Sequence, residues 1–334
     1  MNISEVLCEL SNAVSVGDIC LADIKAKEIL GKFCSVETLQ DGTVYGKLDR
    51  GAEHTVLIEA HIDEVCFVVT NVSDDGFIFV AKAGGIDERV LPAQRVTVMG
   101  DKRYSGTFCS TPPHLLKGKA KPQKIDELCI DIGLSKNVKE HIQLGSFVFF
   151  EGDAKALSGT KYCGKALDNR AGVTAVLIAA EILSKCDFLN CNVAFAFTKS
   201  EELGCRGAIT AAANIEADSA IVVDTTFGDL PGVSPVETGT LGRGPLIGKS
   251  PVLSKDFTEL LSTAATDSGI KTQFEIMASR TGTNADVISV SGEGVPTALI
   301  SIPIRNMHTP NEIVDIKDIK ACGEIIANAV TKWR

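Results

Sequence analysis

The residues of this chain best suited to chemistry are imidazoles and carboxylates at the ends of apolar runs. His61 lies in IEAHIDE and His308 in PIRNMHTP, two of only five histidines. Asp168 sits in GKALDNRAG, Glu201 and Glu202 follow NVAFAFT, and Asp224 ends SAIVVD. Each has an ordinary explanation alone. Asp168 reads as an N-terminal helix cap, one of the paired glutamates as a solvated helix start, Asp224 as another cap, and each histidine as a hydrogen-bonded neighbour of a strand. A metal site explains them together. Zinc, cobalt and manganese take imidazole and carboxylate ligands, with roughly four or five positions per ion. Two ions sharing a water and a bridging carboxylate need about five protein ligands. His61, Asp168, Glu202, Asp224 and His308 supply that number.

The adjacency of Glu201 and Glu202 carries more. Successive side chains on an extended backbone diverge, so the two acids are expected to divide the work. Glu202 then ligates and Glu201 reaches the water as general base. Asp63, two residues after His61, is placed to accept the second ring N–H and fix the ligating tautomer.

These residues need a scaffold, and the hydrophobic pattern supplies one. Ile3, Val6, Leu7 and Leu10 recur at helical spacing, and TVYGKL and TVLIEA read as strands. From Val65 to about Ala156 the chain changes to short β segments, VCFVVT, GFIFVA, RVTVMG and SFVFFEG, punctuated by Gly, Pro and Asp. Regular alternation follows. Helices are expected over Arg170–Ser184, after Gly204, near Asp256–Asp267, around Asn284–Ser289 and from Asp315, separated by the strands NVAFAFT, SAIVVD, TQFEIM and TALISIP. The expected fold is α/β, a mostly parallel central sheet covered by helices, with a small inserted β module. Residues 1–64 plus 157–334 form the discontinuous catalytic domain, and residues 65–156 the insertion. Polar residues at the ends of apolar strands are where open α/β sheets place their ligands.

Composition bounds the function. The chain has 334 residues, 45% hydrophobic and 23% charged, enough for a large core. Its formal charge of −10, from 43 acidic against 33 basic residues, opposes nucleic acid and anionic membrane partners. The start reads without a secretory leader, and AGVTAVLIAAEIL from Ala171 is too short to span a bilayer. Eleven dispersed cysteines without a CxxC pair fit neither a disulfide framework nor a thiolate zinc knuckle, which points to a reducing cytoplasm.

The segments EAHIDEVCFVVT, AGGIDERVLPAQRVTV, GKALDNRAGV, SEELGCRGA, VVDTTFGDLPG, LGRGPLI and TGTNADVISVSGEGVPTALISIPIRNMHTPNEIV occur in order between positions 59 and 315. Together they resemble the dinuclear metallo-aminopeptidases of the tetrahedral, glutamyl-aminopeptidase type, a family that also carries cellulase-like and endoglucanase-like names. The resemblance implies that His61 and Asp224 hold one ion, that Asp168 bridges, and that Glu202 and His308 hold the second. It implies Glu201 as general base and Asp63 behind His61. It implies a PDZ-like, β-barrel-like insertion used in assembly, and a homo-oligomer built from dimers toward twelve-subunit shells. One departure stands out: where the family has Thr-Val-Gln before its paired glutamates, this chain has Thr198-Lys199-Ser200. The changed neighbours bear on the first substrate pocket.

The expected reaction is release of N-terminal residues from short peptides by a water held between two divalent ions, Zn2+ or Co2+ ahead of Mn2+. A related dinuclear amidohydrolase acting on acyl amino acids would use the same ligands. A cellulase would leave the histidines unexplained, and three Tyr and one Trp offer little for sugar stacking. A non-enzymatic assembly protein would be marked by a lost ligand, and none is lost. No G-x-S-x-G elbow suggests a serine nucleophile.

Overall fold

The computed structural model describes residues 1–115 and 122–333; part of the expected insertion, residues 116–121, lies outside the described residues. Among the described residues the largest element is an 11-stranded sheet. At its centre Asn192–Thr198, Thr55–His61, Ser219–Phe227 and Thr297–Arg305 run side by side in parallel. Toward both edges the pairing turns antiparallel, through Val44–Leu48 and Ser35–Thr38 on one side and Glu312–Asp315 and Lys161–Gly164 on the other. The sheet is therefore mixed, and its parallel part is the part that carries the site. Leu246–Lys249 pairs antiparallel with Thr297–Arg305 and carries Gln273–Ile276 in parallel.

The period of two along each strand decides which face a side chain meets. Val56, Ile58 and Ala60 pack with Val193, Phe195, Phe197, Ile221, Val223 and Ile300 in one core. That core is closed by the helices Ile3–Asn12, Leu21–Leu30, Leu167–Ser184, Lys255–Asp267 and Ile316–Thr331, which contribute Leu7, Ala26, Val176, Leu261 and Ile326. Leu57, Ala194, Ala196, Ala220, Val222 and Leu299 point the other way, against Ala208 and Ala211 of Arg206–Asn214 and Ala285 and Ile288 of Ala285–Ile288. Both clusters are apolar, the first including the rings of Phe195 and Phe197. The second face is the thinner one, because its two covering helices have 9 and 4 residues. It is toward the C-terminal end of this face that the alternation delivers His61 and Asp224.

The segment after His61 leaves the sheet. Cys66–Val72, Ile78–Ala83, Arg95–Met99, Arg103–Phe108, Ile130–Asp131 and Phe147–Phe150 close into a barrel. Its centre is Phe67, whose ring meets Phe108 at 5.2 Å and Phe150 at 5.3 Å, both edge-on, the arrangement aromatic quadrupoles favour. A hairpin of Ser15–Val16 and Ile19–Cys20 packs beside it, Val16 lying with Cys66 and Phe149. Its turn residue Gly17 has φ +57°, and a Cβ there would lie 2.7 Å from the Phe147 ring, so glycine is required twice over. The strand Lys155–Ala156 pairs back onto the main sheet.

Candidate metal centre

His61 is the last residue of its strand, and Asp224 lies within Ser219–Phe227, next to it in the sheet. Asp168 opens the helix Leu167–Ser184 with extended backbone (φ −79°, ψ 105°), which turns its carboxylate away from the helix axis. Glu201 and Glu202 occupy the loop after Asn192–Thr198, entered through Ser200 at φ 59°. His308 follows the strand Thr297–Arg305, also with positive φ, 62°. Five separate segments thus converge above the parallel strands.

The contacts form two groups that share one residue. His61 Nε2 lies 3.2 Å from Asp168 Oδ1 and 3.6 Å from Asp224 Oδ1. His308 Nε2 lies 3.3 Å from the other Asp168 oxygen and 3.1 Å from Glu202 Oε1. Of three metal-sized groups among the described residues, each with ligand atoms within 4.8 Å of one another, one is His61/Glu201/Glu202 and the other two, His61/Asp168/Asp224 and Asp168/Glu202/His308, share Asp168. Asp168 presents one oxygen to each of these two. Glu201 stands beside both, close to His61 and Glu202, and its carboxylate accepts a weak hydrogen bond from the Cys205 thiol at 3.5 Å.

Charge says what the cluster lacks. Asp168, Glu201, Glu202 and Asp224 are held together with two imidazoles, and no lysine or arginine among the described residues pairs with any of them. Burial pushes the Glu201 carboxyl up to about 8 and raises Glu202 and Asp224 as well. For the imidazoles burial acts downward, but the surrounding carboxylates outweigh it. They hold His61 well above its ordinary value and push His308 up to about 11. Burial likewise opposes ionisation of Asp168, yet hydrogen bonds from His308 and His61 bring it below the usual carboxylate range. Such a group of buried acids, with borrowed protons as its only positive charge, matches the donor set of two divalent cations.

The surrounding residues fix this set. His308 Nδ1 lies 2.8 Å from the Gly85 carbonyl and donates there, so the proton an ion would displace is the one on Nε2, which faces Asp168 and Glu202. Glu312 is buried, and its carboxylate accepts the N–H groups of both Asp168 (3.0 Å) and His308 (2.6 Å). Asp63 lies 3.5 Å from His61 Nδ1, at ion-pair distance, and also accepts the N–H of Glu201 at 3.0 Å and of Glu202 at 3.3 Å. It therefore ties the paired glutamates to the His61 segment. Below them Glu59 accepts from Thr198 Oγ1 (2.6 Å) and Asn284 Nδ2 (2.7 Å) in the thinner core. Lys199, the unusual neighbour, turns away from this group. Its ammonium donates to the Gly17 carbonyl at 2.6 Å and lies 3.1 Å from Cys20 Sγ.

Residues 42–325 match the family model described as M42 glutamyl aminopeptidase. The chain belongs to the M42 glutamyl aminopeptidase family. A lysyl aminopeptidase of Pyrococcus furiosus is 30% identical over 279 residues, 81% of this chain and 79% of the relative. The structure of an aminopeptidase from Desulfurococcus kamchatkensis superposes with a TM-score of 0.92 at 28% identity, covering 99% of this chain and 95% of that one. The TET1 peptidase of Pyrococcus horikoshii, which assembles into a tetrahedron or a large octahedral shell, gives a TM-score of 0.87 at 26% identity, covering 99% and 100%. As an M42 enzyme the chain is a metal-dependent aminopeptidase, a hydrolase. Homo-oligomeric assembly is a property of its TET relatives. Among the described residues, no helix is long and apolar enough to cross a membrane.

Glu312, Gly85 and Glu59 were not singled out from the sequence. All three lie inside family-like motifs, HTPNEIV, AGGIDE and EAHIDE, and an acid four residues after His308 is the signal that points to Glu312.

Proposed function

We propose that this enzyme releases single residues from the amino end of short peptides, with His61 and Asp224 holding one divalent ion, Glu202 and His308 the other, and Asp168 bridging. The observation that carries this reading is the sharing of Asp168 between two imidazole–carboxylate groups with Glu201 alongside. When bound, the ions acidify water and polarise the scissile carbonyl. The chain's own residues do the rest. Glu201 takes the proton of the attacking water, an assignment supported by its place outside the two shared groups and by its raised affinity for a proton. Protonated Glu201 then delivers that proton to the departing amine. Gly85 and Glu312 keep His308 and Asp168 in place while this happens.

Zn2+ or Co2+ fits the mixed imidazole and carboxylate set best, with Mn2+ next. Residues 1–64 and 157–334 act as the catalytic domain, and residues 65–156 as an assembly domain forming dimers and, from these, a twelve-subunit shell. A cytoplasmic setting is supported by the eleven cysteines, all free thiols in this structure. The test is direct: protein loaded with each ion in turn is given a peptide panel, and products are followed by mass spectrometry. Stepwise loss from the amino end with about two ions per subunit is expected. Early internal cleavage, or hydrolysis of acyl amino acids in place of peptides, would turn the assignment toward the amidohydrolase alternative.

A further inference from the structure

Glu275 is a half-buried carboxylate that the metal chemistry leaves without a task. It stands on the strand Gln273–Ile276. Its Oε1 accepts a hydrogen bond from the Thr226 hydroxyl at 2.5 Å, and its Oε2 accepts one from the Ser301 hydroxyl at 2.8 Å. Both hydroxyls are neighbours of Asp224. Thr226 lies two residues along the same strand, and Ser301 is paired with Asp224 across the parallel register. Residues two apart on a strand, and residues paired across strands, share a face of the sheet. From a strand two places beyond that of Ser301, Glu275 therefore extends its carboxylate onto the face that carries Asp224 and His61.

Among the described residues no lysine, arginine or histidine forms an ion pair with it. Burial, together with repulsion from Asp224, raises its carboxyl above the ordinary range, against the two hydroxyl hydrogen bonds. The nearby Lys249 ammonium sits over the Phe274 ring at 3.9 Å, and Phe274, one residue before Glu275, points to the opposite face. Glu275 also lies outside all three metal-sized groups. Phe274 and Ile276, on the opposite face, are exposed, and Glu275 is itself only half-buried, so its strand forms a rim that solvent and small molecules reach. A carboxylate held by two hydroxyls beside a hydrolytic centre, partly desolvated and lacking a counter-charge, is suited to a cation that arrives with the substrate.

We infer that Glu275 receives the ammonium of the peptide residue being released. The inference rests on the aminopeptidase reading, because every substrate of that reaction brings an α-ammonium and a basic first residue brings a second one. The hydroxyls of Thr226 and Ser301 hold the carboxylate from both sides, so it keeps its position when no substrate is bound.

The experiment compares wild type, Glu275→Gln and Glu275→Asp on leucyl- and lysyl-p-nitroanilide, with metal content measured on the same preparations. Glu275→Gln is expected to keep the wild-type metal content and lose about 10- to 100-fold in kcat/KM, mainly through KM, the loss of one charge-assisted contact. Glu275→Asp recovers part of it. Loss on both substrates assigns the α-ammonium; loss confined to the lysyl substrate assigns the side-chain ammonium. Unchanged kcat/KM on both substrates would overturn the inference, as would metal content that falls in step with activity, since Glu275 would then act by supporting Asp224. A metal-loaded wild type inactive on both substrates would instead overturn the aminopeptidase reading, and the inference with it.

Discussion

Glu201 and Glu202 share a loop and a common hydrogen-bond acceptor in Asp63, yet their carboxylates lie in different surroundings. Glu202 meets His308 and belongs to one of the groups sharing Asp168, whereas Glu201 belongs to neither of those, lying near His61 and accepting from the Cys205 thiol. Glu201→Gln should therefore retain both ions while turnover falls by about two to four orders of magnitude. Glu202→Gln should lose one ion on dialysis; elemental analysis showing the same loss in both variants would reverse or erase the division. Protons compete for the same places. In the metal-free protein His61 is held well above its ordinary value and His308 is pushed up to about 11, so both imidazoles carry protons at neutral pH. A cation must expel them, and affinity rises with pH. Calorimetry at pH 7 in buffers of different ionisation enthalpy should register roughly two protons released per loaded subunit; binding without release would contradict the imidazole ligands. At this scale the sequence was legible wherever a polar residue ended an apolar strand, as at His61. It was silent on Glu275 and Glu59, whose partners Ser301 and Asn284 are 26 and 225 residues away, because a lone acid inside a strand signals nothing until the sheet is assembled.

The four central parallel strands present the site, but the connections orient it. Gly85 belongs to the loop leaving the barrel strand Ile78–Ala83, and a Cβ there would lie 3.1 Å from His308 Nδ1. Gly85→Ala should push the ring off its carbonyl partner and weaken the ion held by Glu202 and His308 by about 10- to 100-fold, as losses behind a ligand commonly do. Competition with a metal-sensing dye would measure it, and unchanged affinity for both ions would show that the carbonyl contact is idle. Behind the other ligands, Glu64 pairs with Lys165 at 2.5 Å and Arg170 at 3.5 Å, all three buried, and the Arg170 guanidinium also donates to the Leu10 and Ala13 carbonyls. This network fastens the first helix to the segments of His61 and Asp168. Arg170→Met should cost about 3–5 kcal/mol in urea unfolding, the usual result of removing one partner of a buried pair; a change under about 1 kcal/mol would show the network to be dispensable. Periodicity revealed the long helices and buried strands. It did not reveal the hairpin Ser15–Cys20 or the strand Glu312–Asp315, which are too short to show a pattern and exist through tertiary pairing.

For the whole molecule, the proposed assembly makes a size prediction: light scattering should find a particle larger than one 35.4 kDa chain, and fully active monomer would remove the assembly requirement from the reading. The barrel's closure around three phenylalanines could not be read from composition, although its first strand, Cys66–Val72, begins where long apolar runs give way to short ones. The hairpin near the amino end has a wider consequence. It lies against the barrel through Val16 and Phe149, while Lys199 reaches it from the residue two before Glu201. The loop bearing the base is thus moored to chain some 180 residues earlier. For anyone handling the protein, a protease nick or tag junction near Gly17 is no remote edit of a dispensable terminus: it cuts the tether of the active-site loop, and a preparation clipped there would keep its helices and its circular dichroism while its turnover declined.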